Sequence, residues 1–309
     1  MTEQNMILGQ GTPYPLKAKL TLPDDLSTPV PAVVLVHGSG SSNMDEKIYK
    51  LTPFRDLAEG LAEQGIAALR YDKRSFTYGL KMIRSKTPIT VKEETVEDAV
   101  MAAELLKTTP GIDPEKVFII GHSMGGMLSP RIDAEGGNFR GLILLAGSPR
   151  KLEEIMLSQN REMADLSGKL LGSILEKQTK KLEDLFRGLY DLTDEEAKAK
   201  KVGNGTTLYY FKELGERSVE SYLEHLTKPI LVLQGGMDFQ VKPDVDYALY
   251  QQLLADHPDA SFRLYPKLNH VFMPGVYGNI TKAKQEYKVE QRMDKTVIAD
   301  IAAWIHGIQ

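Results

Sequence analysis

The sequence predicts an α/β protein with a mostly parallel central sheet flanked by helices. Two observations lead there. Short apolar runs that end in glycine or turn residues alternate with longer helical patterns, as parallel α/β sheets require. Residues Ala32-Val33-Val34-Leu35-Val36 are apolar at every position, which suits a strand covered on both faces. With 309 residues, the chain can bury a large core without disulfide or metal staples.

The elements run in order along the chain. Leu16 to Leu22 alternates in polarity and reads as an early, half-exposed antiparallel strand, and Ala32 to Val36 as a central one. Phe54 to Gln64 is amphipathic and closes at Gly65, and Ile66 to Tyr71 is the next strand. Val91 to Lys107 has apolar residues at helical spacing and stops before Pro110. Val117 to Ile120 and Leu142 to Ala146 read as strands, with a helix from Met124 between them. The alternation resumes with a strand at Ile230 to Leu233, a helix near Val245 to Leu254 and a strand at Phe262 to Tyr265. A final helix is expected over Val289 to Trp304.

Residues 149–227 interrupt this rhythm. Leu152, Ile155, Met156, Met163, Leu166, Leu170, Ile174 and Leu182 fall at three- and four-residue steps among Lys and Glu, the pattern of amphipathic helices with one buried stripe. Thr206 to Phe211 is the first strand-like run in the segment. The expected organisation is a core of residues 1–148 and 228–309 with a helical cap, 149–227, over the strand C-termini, where α/β sheets place their sites. A separate domain or a dimerisation arm is the alternative.

Composition excludes several classes. A net charge of −4 argues against nucleic-acid binding, which favours a concentrated basic surface. The sequence has no cysteine, so thiol catalysis, thiolate metal sites and disulfides are ruled out. The N-terminus lacks the basic start and apolar run of a signal peptide, and no apolar stretch is long enough to span a bilayer. The expectation is a cytoplasmic protein with no membrane partner.

The sharpest motif is Gly121-His122-Ser123-Met124-Gly125-Gly126, which comes after one apolar run and precedes a helical pattern. A serine on so tight a strand–turn–helix junction needs nearly side-chain-free neighbours two residues away on each side. The helix beyond it aims its first amides at charge developing on a substrate oxygen. Ser123 is therefore the candidate nucleophile. Two amides must converge on that oxygen, and the candidates are the N–H groups of Met124 and of Ser39, in the loop His37-Gly38-Ser39-Gly40-Ser41. His37 precedes the serine at the end of a buried strand and reads as a loop-holding residue. The glycine-rich loop has neither a dinucleotide-binding pattern nor a Walker lysine.

An acid and a base should come next, in that order. Asp238 ends Gln234-Gly235-Gly236-Met237-Asp238, just after a strand, and His270 lies in Leu268-Asn269-His270-Val271-Phe272, after the next. His270 would deprotonate Ser123 while Asp238 fixes its tautomer. Asp244 and Asp246 compete for the acid's role but read as charges opening a helix. His225, His257 and His306 read as surface residues, and His122 as packing or bonding beneath the turn.

With these residues in view the chain resembles the bacterial serine hydrolases of the serine aminopeptidase S33 type and the neighbouring cinnamoyl and feruloyl esterases. The motifs are Gly121 to Gly126, His37-Gly38, Gln234 to Asp238, Asn269-His270 and the stretch Gly65 to Arg74, within Leu16–Ser148 and Pro229 to the end. The resemblance implies the α/β-hydrolase fold and hydrolysis of esters, amides or thioesters with neither metal nor organic cofactor. A carboxylesterase acting on small to medium acyl or aromatic esters is expected. An aminopeptidase or amidase with the same triad is the alternative; an acyltransferase or a non-catalytic binding protein is further off. Asp45 and Glu46 would suit a substrate amine or a solvated loop, and Tyr71-Asp72-Lys73-Arg74 a pocket wall or an ion pair. Oligomeric state has no signature in the sequence.

Overall fold

The computed structural model describes residues 1–84, 88–203 and 205–308. Its strands are β1 (Thr2–Leu8), β2 (Leu16–Leu22), β3 (Val30–Val36), β4 (Ala67–Tyr71), β5 (Ile112–His122), β6 (Leu142–Leu145), a small pair β7 (Lys201–Gly203) and β8 (Thr206–Thr207), then β9 (Ile230–Gly235) and β10 (Ala260–Tyr265). Eight of them form one sheet in the order β1-β2-β4-β3-β5-β6-β9-β10. The β1–β2 and β2–β4 pairings are antiparallel, and every pairing from β4 to β10 is parallel.

The central strands are apolar on both faces because both faces are covered. Ala32, Val34, Val117, Ile119, Leu142, Leu144, Ile230 and Val232 point into one core cluster. Their alternates Val33, Leu35, Phe118, Ile120, Ile143, Leu145, Leu231 and Leu233 point into the other. Period-two alternation thus divides one sheet between two cores. Helices α1 (Pro53–Glu63) and, at the end of the chain, Lys295–Gly307 cover the second face through Leu57, Leu61, Val297 and Ile301. After the short α2 (Arg74–Ile83), α3 (Glu97–Lys107) and α4 (Met124–Ile132) cover the first face through Ala99, Ala103, Leu106, Leu128 and Ile132.

Strand order also places the site. From β3 the chain moves outward to β4, then crosses back to β5 on the other side of β3. The C-terminal ends of β3 and β5 therefore diverge at a topological switch point, where open α/β sheets form their crevice.

Between β6 and β9 lie α5 (Leu152–Asp165), α6 (Lys169–Phe186), α7 (Asp194–Ala199), α8 (Leu208–Glu216) and α9 (Val219–Leu223). The chain continues through α10 (Ala248–Leu253) and α11 (Ala283–Glu286) to the last helix, α12 (Lys295–Gly307). Among the described residues no helix is long and apolar enough to cross a membrane.

Several local expectations are corrected. Thr206 to Phe211 has strand composition, yet only Thr206–Thr207 is extended and α8 starts at Leu208. Leu208, Phe211 and Leu214 are buried at three-residue steps, so tertiary packing overrides β propensity there. Leu166, Leu170 and Ile174, expected in a buried stripe, are exposed, Leu170 by 82%. In α6 only Gly172, Thr179 and Phe186 are buried. The last helix begins at Lys295, because the Asp294 side chain accepts Thr296 N–H as a cap. Strand β1 carries little apolar signal because it is an exposed edge, and β2 is more buried than its alternation suggests.

Candidate active site

Strand β5 ends at His122 and α4 begins at Met124, so Ser123 makes the turn alone. Its φ of 54° and ψ of −117° lie where a non-glycine residue stores about 1–3 kcal/mol of strain. The turn is held by Ser123 N–H donating to the Leu145 carbonyl at 2.8 Å. Its glycines are sterically required. A Cβ on Gly121 would stand 2.2 Å from the Gly125 carbonyl oxygen, and one on Gly125 2.1 Å from that of Val36.

Asp238 lies in the loop after β9 and His270 in the loop after β10, and the structure brings them together. His270 Nδ1 and Asp238 Oδ2 are 2.7 Å apart, with both residues buried. Among the described residues, every other bond to that carboxylate comes from a donor aimed at it. Gln234 Nε2 donates to Oδ2 at 2.9 Å, while the N–H groups of Gln240 and Val241 donate to Oδ1 at 2.8 and 3.0 Å. Buried Asn269 shapes the histidine loop, accepting from Val271 and Met273 N–H and donating to Glu286 at 2.9 Å. Glu286 in turn accepts from Val276 and Tyr277 N–H.

The loop after β3 is held by charges. Gly38 N–H donates to Glu46 Oε1 at 2.8 Å, and Lys73 Nζ donates to the Gly38 carbonyl at 2.9 Å. The other Glu46 oxygen lies 2.9 Å from His122 Nδ1, and His122 Nε2 lies 3.0 Å from the His270 carbonyl. The His122 and His270 rings have centroids 4.7 Å apart. Burial opposes charge on His122, but the Glu46 carboxylate outweighs it and raises the imidazole's pKa. Burial likewise works against ionised Glu46, and His122 nonetheless brings its pKa below the usual range. His37 Nε2 lies 2.9 Å from the Asn43 carbonyl, and burial lowers its pKa to about 4.

Neither Asp45 nor Glu46 is solvated or free for a substrate amine, since Asp45 binds Arg55 and Arg70. Arg74 is paired with Asp98 and Glu97, so the stretch after β4 forms ion pairs rather than a pocket wall. Asp246 is also more than a helix charge. It is fully buried and binds Ser148 Oγ at 2.6 Å and Arg150 Nε at 2.7 Å.

Ser39, Ser123 and Met124 line one cleft of about 170 Å³, together with Met127, Leu152, Ile155, Met156 and Val241. Its polar lining also includes Ser148, Gln159 and Gln240, and among the described residues no lining residue is charged. Helix α5 thus supplies one wall, fastened by Gln159 donating to the Gln240 carbonyl and by a Glu162–Lys242 ion pair. A larger open hollow of about 480 Å³ shares no residue with it, and its Lys50, Arg55 and Arg292 are each paired with a carboxylate.

Sequence reasoning missed Glu46 and Lys73 as parts of one buried assembly, and Glu286 altogether. Each reaches its partner across many residues, so no local pattern marks it.

The fold is that of the α/β-hydrolases. Est1E from Butyrivibrio proteoclasticus superposes with a TM-score of 0.57 at 17% identity, over 96% of this chain and 99% of that one. A dienelactone hydrolase from Anabaena variabilis gives 0.57 at 18% identity, over 100% and 99%. The chain belongs to the serine aminopeptidase S33 family of serine hydrolases, whose model matches residues 27–274. It is 36% identical over 290 residues to Esterase EstD of Thermotoga maritima, which covers 94% of this chain; the match spans 65% of that relative's length.

Proposed function

We propose that the protein is a carboxylesterase for small to medium acyl or aromatic esters, acting through an acyl-enzyme on Ser123. The observation that carries this is the 2.7 Å contact of His270 Nδ1 with Asp238, in a protein whose Ser39, Ser123 and Met124 line one cleft. In this reading Ser123 Oγ loses its proton to His270 Nε2 as it attacks the ester carbonyl carbon, and Asp238 stabilises the imidazolium. The oxyanion accepts from Ser39 and Met124 N–H. On collapse the bond to the alcohol oxygen breaks, and His270 returns the proton to the leaving alcohol. Water, deprotonated by His270, then attacks the acyl-enzyme, releases the acid and restores Ser123.

The cleft favours neutral esters over peptides. An aminopeptidase needs a carboxylate facing the substrate's amine, and the uncharged lining offers none. Engineered cavities of about 150 Å³ hold a benzene molecule, so 170 Å³ suits a short acyl chain or a single ring. Est1E is a structural neighbour with ferulic acid bound, which agrees with an aromatic acid. Residues 149–227 then act as a cap, with α5 as the wall on the acyl side.

The test is hydrolysis of p-nitrophenyl esters from acetate to octanoate, beside aminoacyl p-nitroanilides, by wild type and Ser123→Ala. Ester turnover that vanishes in the variant supports the proposal, with activity falling for the longest chains. Faster turnover of anilides than of esters would replace it with the peptidase reading.

A further inference from the structure

Resting on that acyl-transfer reading, we propose that Lys73 is a positioning residue whose buried ammonium holds the Gly38 carbonyl so that the Ser39 N–H faces the substrate oxygen. The Gly38 carbonyl and the Ser39 N–H belong to one peptide plane. Among the described residues every peptide is trans, so these two groups point in opposite directions. Anchoring the carbonyl on Lys73 Nζ at 2.9 Å therefore turns the amide away from the lysine. Ser39 lines the cleft beside Ser123.

The clamp answers a problem created by the glycine. A Cβ on Gly38 would lie 3.1 Å from Ser123 Cβ, so close approach to the nucleophile favours a residue without one. Glycine leaves the peptides on either side free to rotate. Here both are tied, one by a residue farther along the loop and one by a residue after β4. Glu46 accepts the Gly38 N–H, and Lys73 donates to the Gly38 carbonyl. A third tie joins Lys73 N–H to the Ser42 carbonyl at 3.0 Å.

Burying an ammonium is costly, and an ion pair of purely structural use is often replaceable by apolar side chains. Lys73 is only 1% exposed. Its nearest carboxylate oxygen, on Glu94, is 3.6 Å away, farther than the carbonyl it holds. Glu94 also accepts from Tyr210 OH at 2.8 Å, so α8 of the helical insertion supports the clamp from behind.

The test compares wild type, Lys73→Met and Lys73→Arg by ester kinetics and by the affinity of phenylboronic acid. The boronate forms a tetrahedral serine adduct whose oxygen occupies the same position as the substrate's oxyanion. Loss of an oxyanion donor costs about 10²–10³ in kcat, so Lys73→Met should lose about 10² in kcat with KM nearly unchanged. Boronate affinity should fall in parallel, and Lys73→Arg, which keeps a donor, should recover much of both. A merely structural lysine would lower melting temperature without separating kcat from KM. If Lys73→Met fails to fold, Lys73→Gln is the second variant: its amide is too short for the carbonyl and should show the same split.

Folded variants with wild-type kcat and boronate affinity would overturn the inference. A wild type that binds the boronate without hydrolysing these esters leaves affinity as the deciding readout. One that neither binds the boronate nor turns over ester would refute the acyl-transfer reading itself, and the inference with it.

Discussion

Replacing Asp238 by asparagine changes one atom, and the surroundings of that atom set the consequence. The Oδ1 position faces two backbone donors, Gln240 and Val241 N–H, which have no freedom to turn. The new carboxamide must therefore keep its oxygen there and place its NH₂ where Oδ2 stood. That position meets Gln234 Nε2, itself tied to the Gly235 and Val241 carbonyls at 3.2 Å each, and His270 Nδ1. His270 then accepts at Nδ1, so its proton moves to Nε2, where the proposed mechanism needs a free lone pair to take the serine proton. In a serine triad that tautomer error costs about 10⁴ in kcat. Loss of hydrogen bonds to a buried charge should also cost about 1.5–3 kcal/mol of stability. The assay is p-nitrophenyl butyrate hydrolysis by Asp238→Asn and wild type, with thermal denaturation of both. A folded variant within about tenfold of wild type would refute the assignment of Asp238 as the orienting acid.

Packing and burial lead to two further expected outcomes. Gly125→Ala should abolish soluble expression or activity, because its Cβ would stand 2.1 Å from the Val36 carbonyl oxygen in the centre of the sheet; a folded, active variant would refute the close packing of the turn. For His37, burial lowers the pKa from 6.5 to about 4, so the unfolded chain takes up a proton that the folded one refuses as pH falls through that window. His37's contribution to stability is full above pH 6.5 and declines as pH drops towards about 4, by at most about 3 kcal/mol. His37→Gln should flatten that part of the stability–pH curve in urea titrations, and an unchanged slope would show that His37 is not the group responsible.

The parts of this protein legible in its sequence are those whose causes are local. A strand buried on both faces must be apolar throughout, so Ala32 to Val36, Val117 to Ile120 and Ile230 to Leu233 are recognisable without neighbours. The spacing of Gly121 reflects a steric demand within five residues, since its Cβ would meet the Gly125 carbonyl, whereas Gly125 is constrained by Val36 of β3. Asp238 and His270 are readable as residues just beyond strand ends, since chain order alone carries that information. The features out of reach depend on distant partners. Glu46 has the look of a solvated acidic loop, yet it accepts from Gly38 and pairs with His122, 76 positions away in the chain. Lys73 has the look of half an ion pair, and its principal bond is to a backbone carbonyl. Thr206 to Phe211 has the composition of a strand, but its helix buries Leu208 and Phe211 against other residues between β6 and β9.

The buried central strands, the turn at Ser123 and the positions of Asp238 and His270 beyond strand ends can be read along the chain, because burial on two faces and chain order act there without distant partners. Which charges clamp the loop at Gly38, which carboxylates are occupied and how large the cleft is come from the folded arrangement alone. Those properties arise from groups that meet only when the loops after β3, β4, β5, β9 and β10 gather beyond the C-terminal ends of their strands.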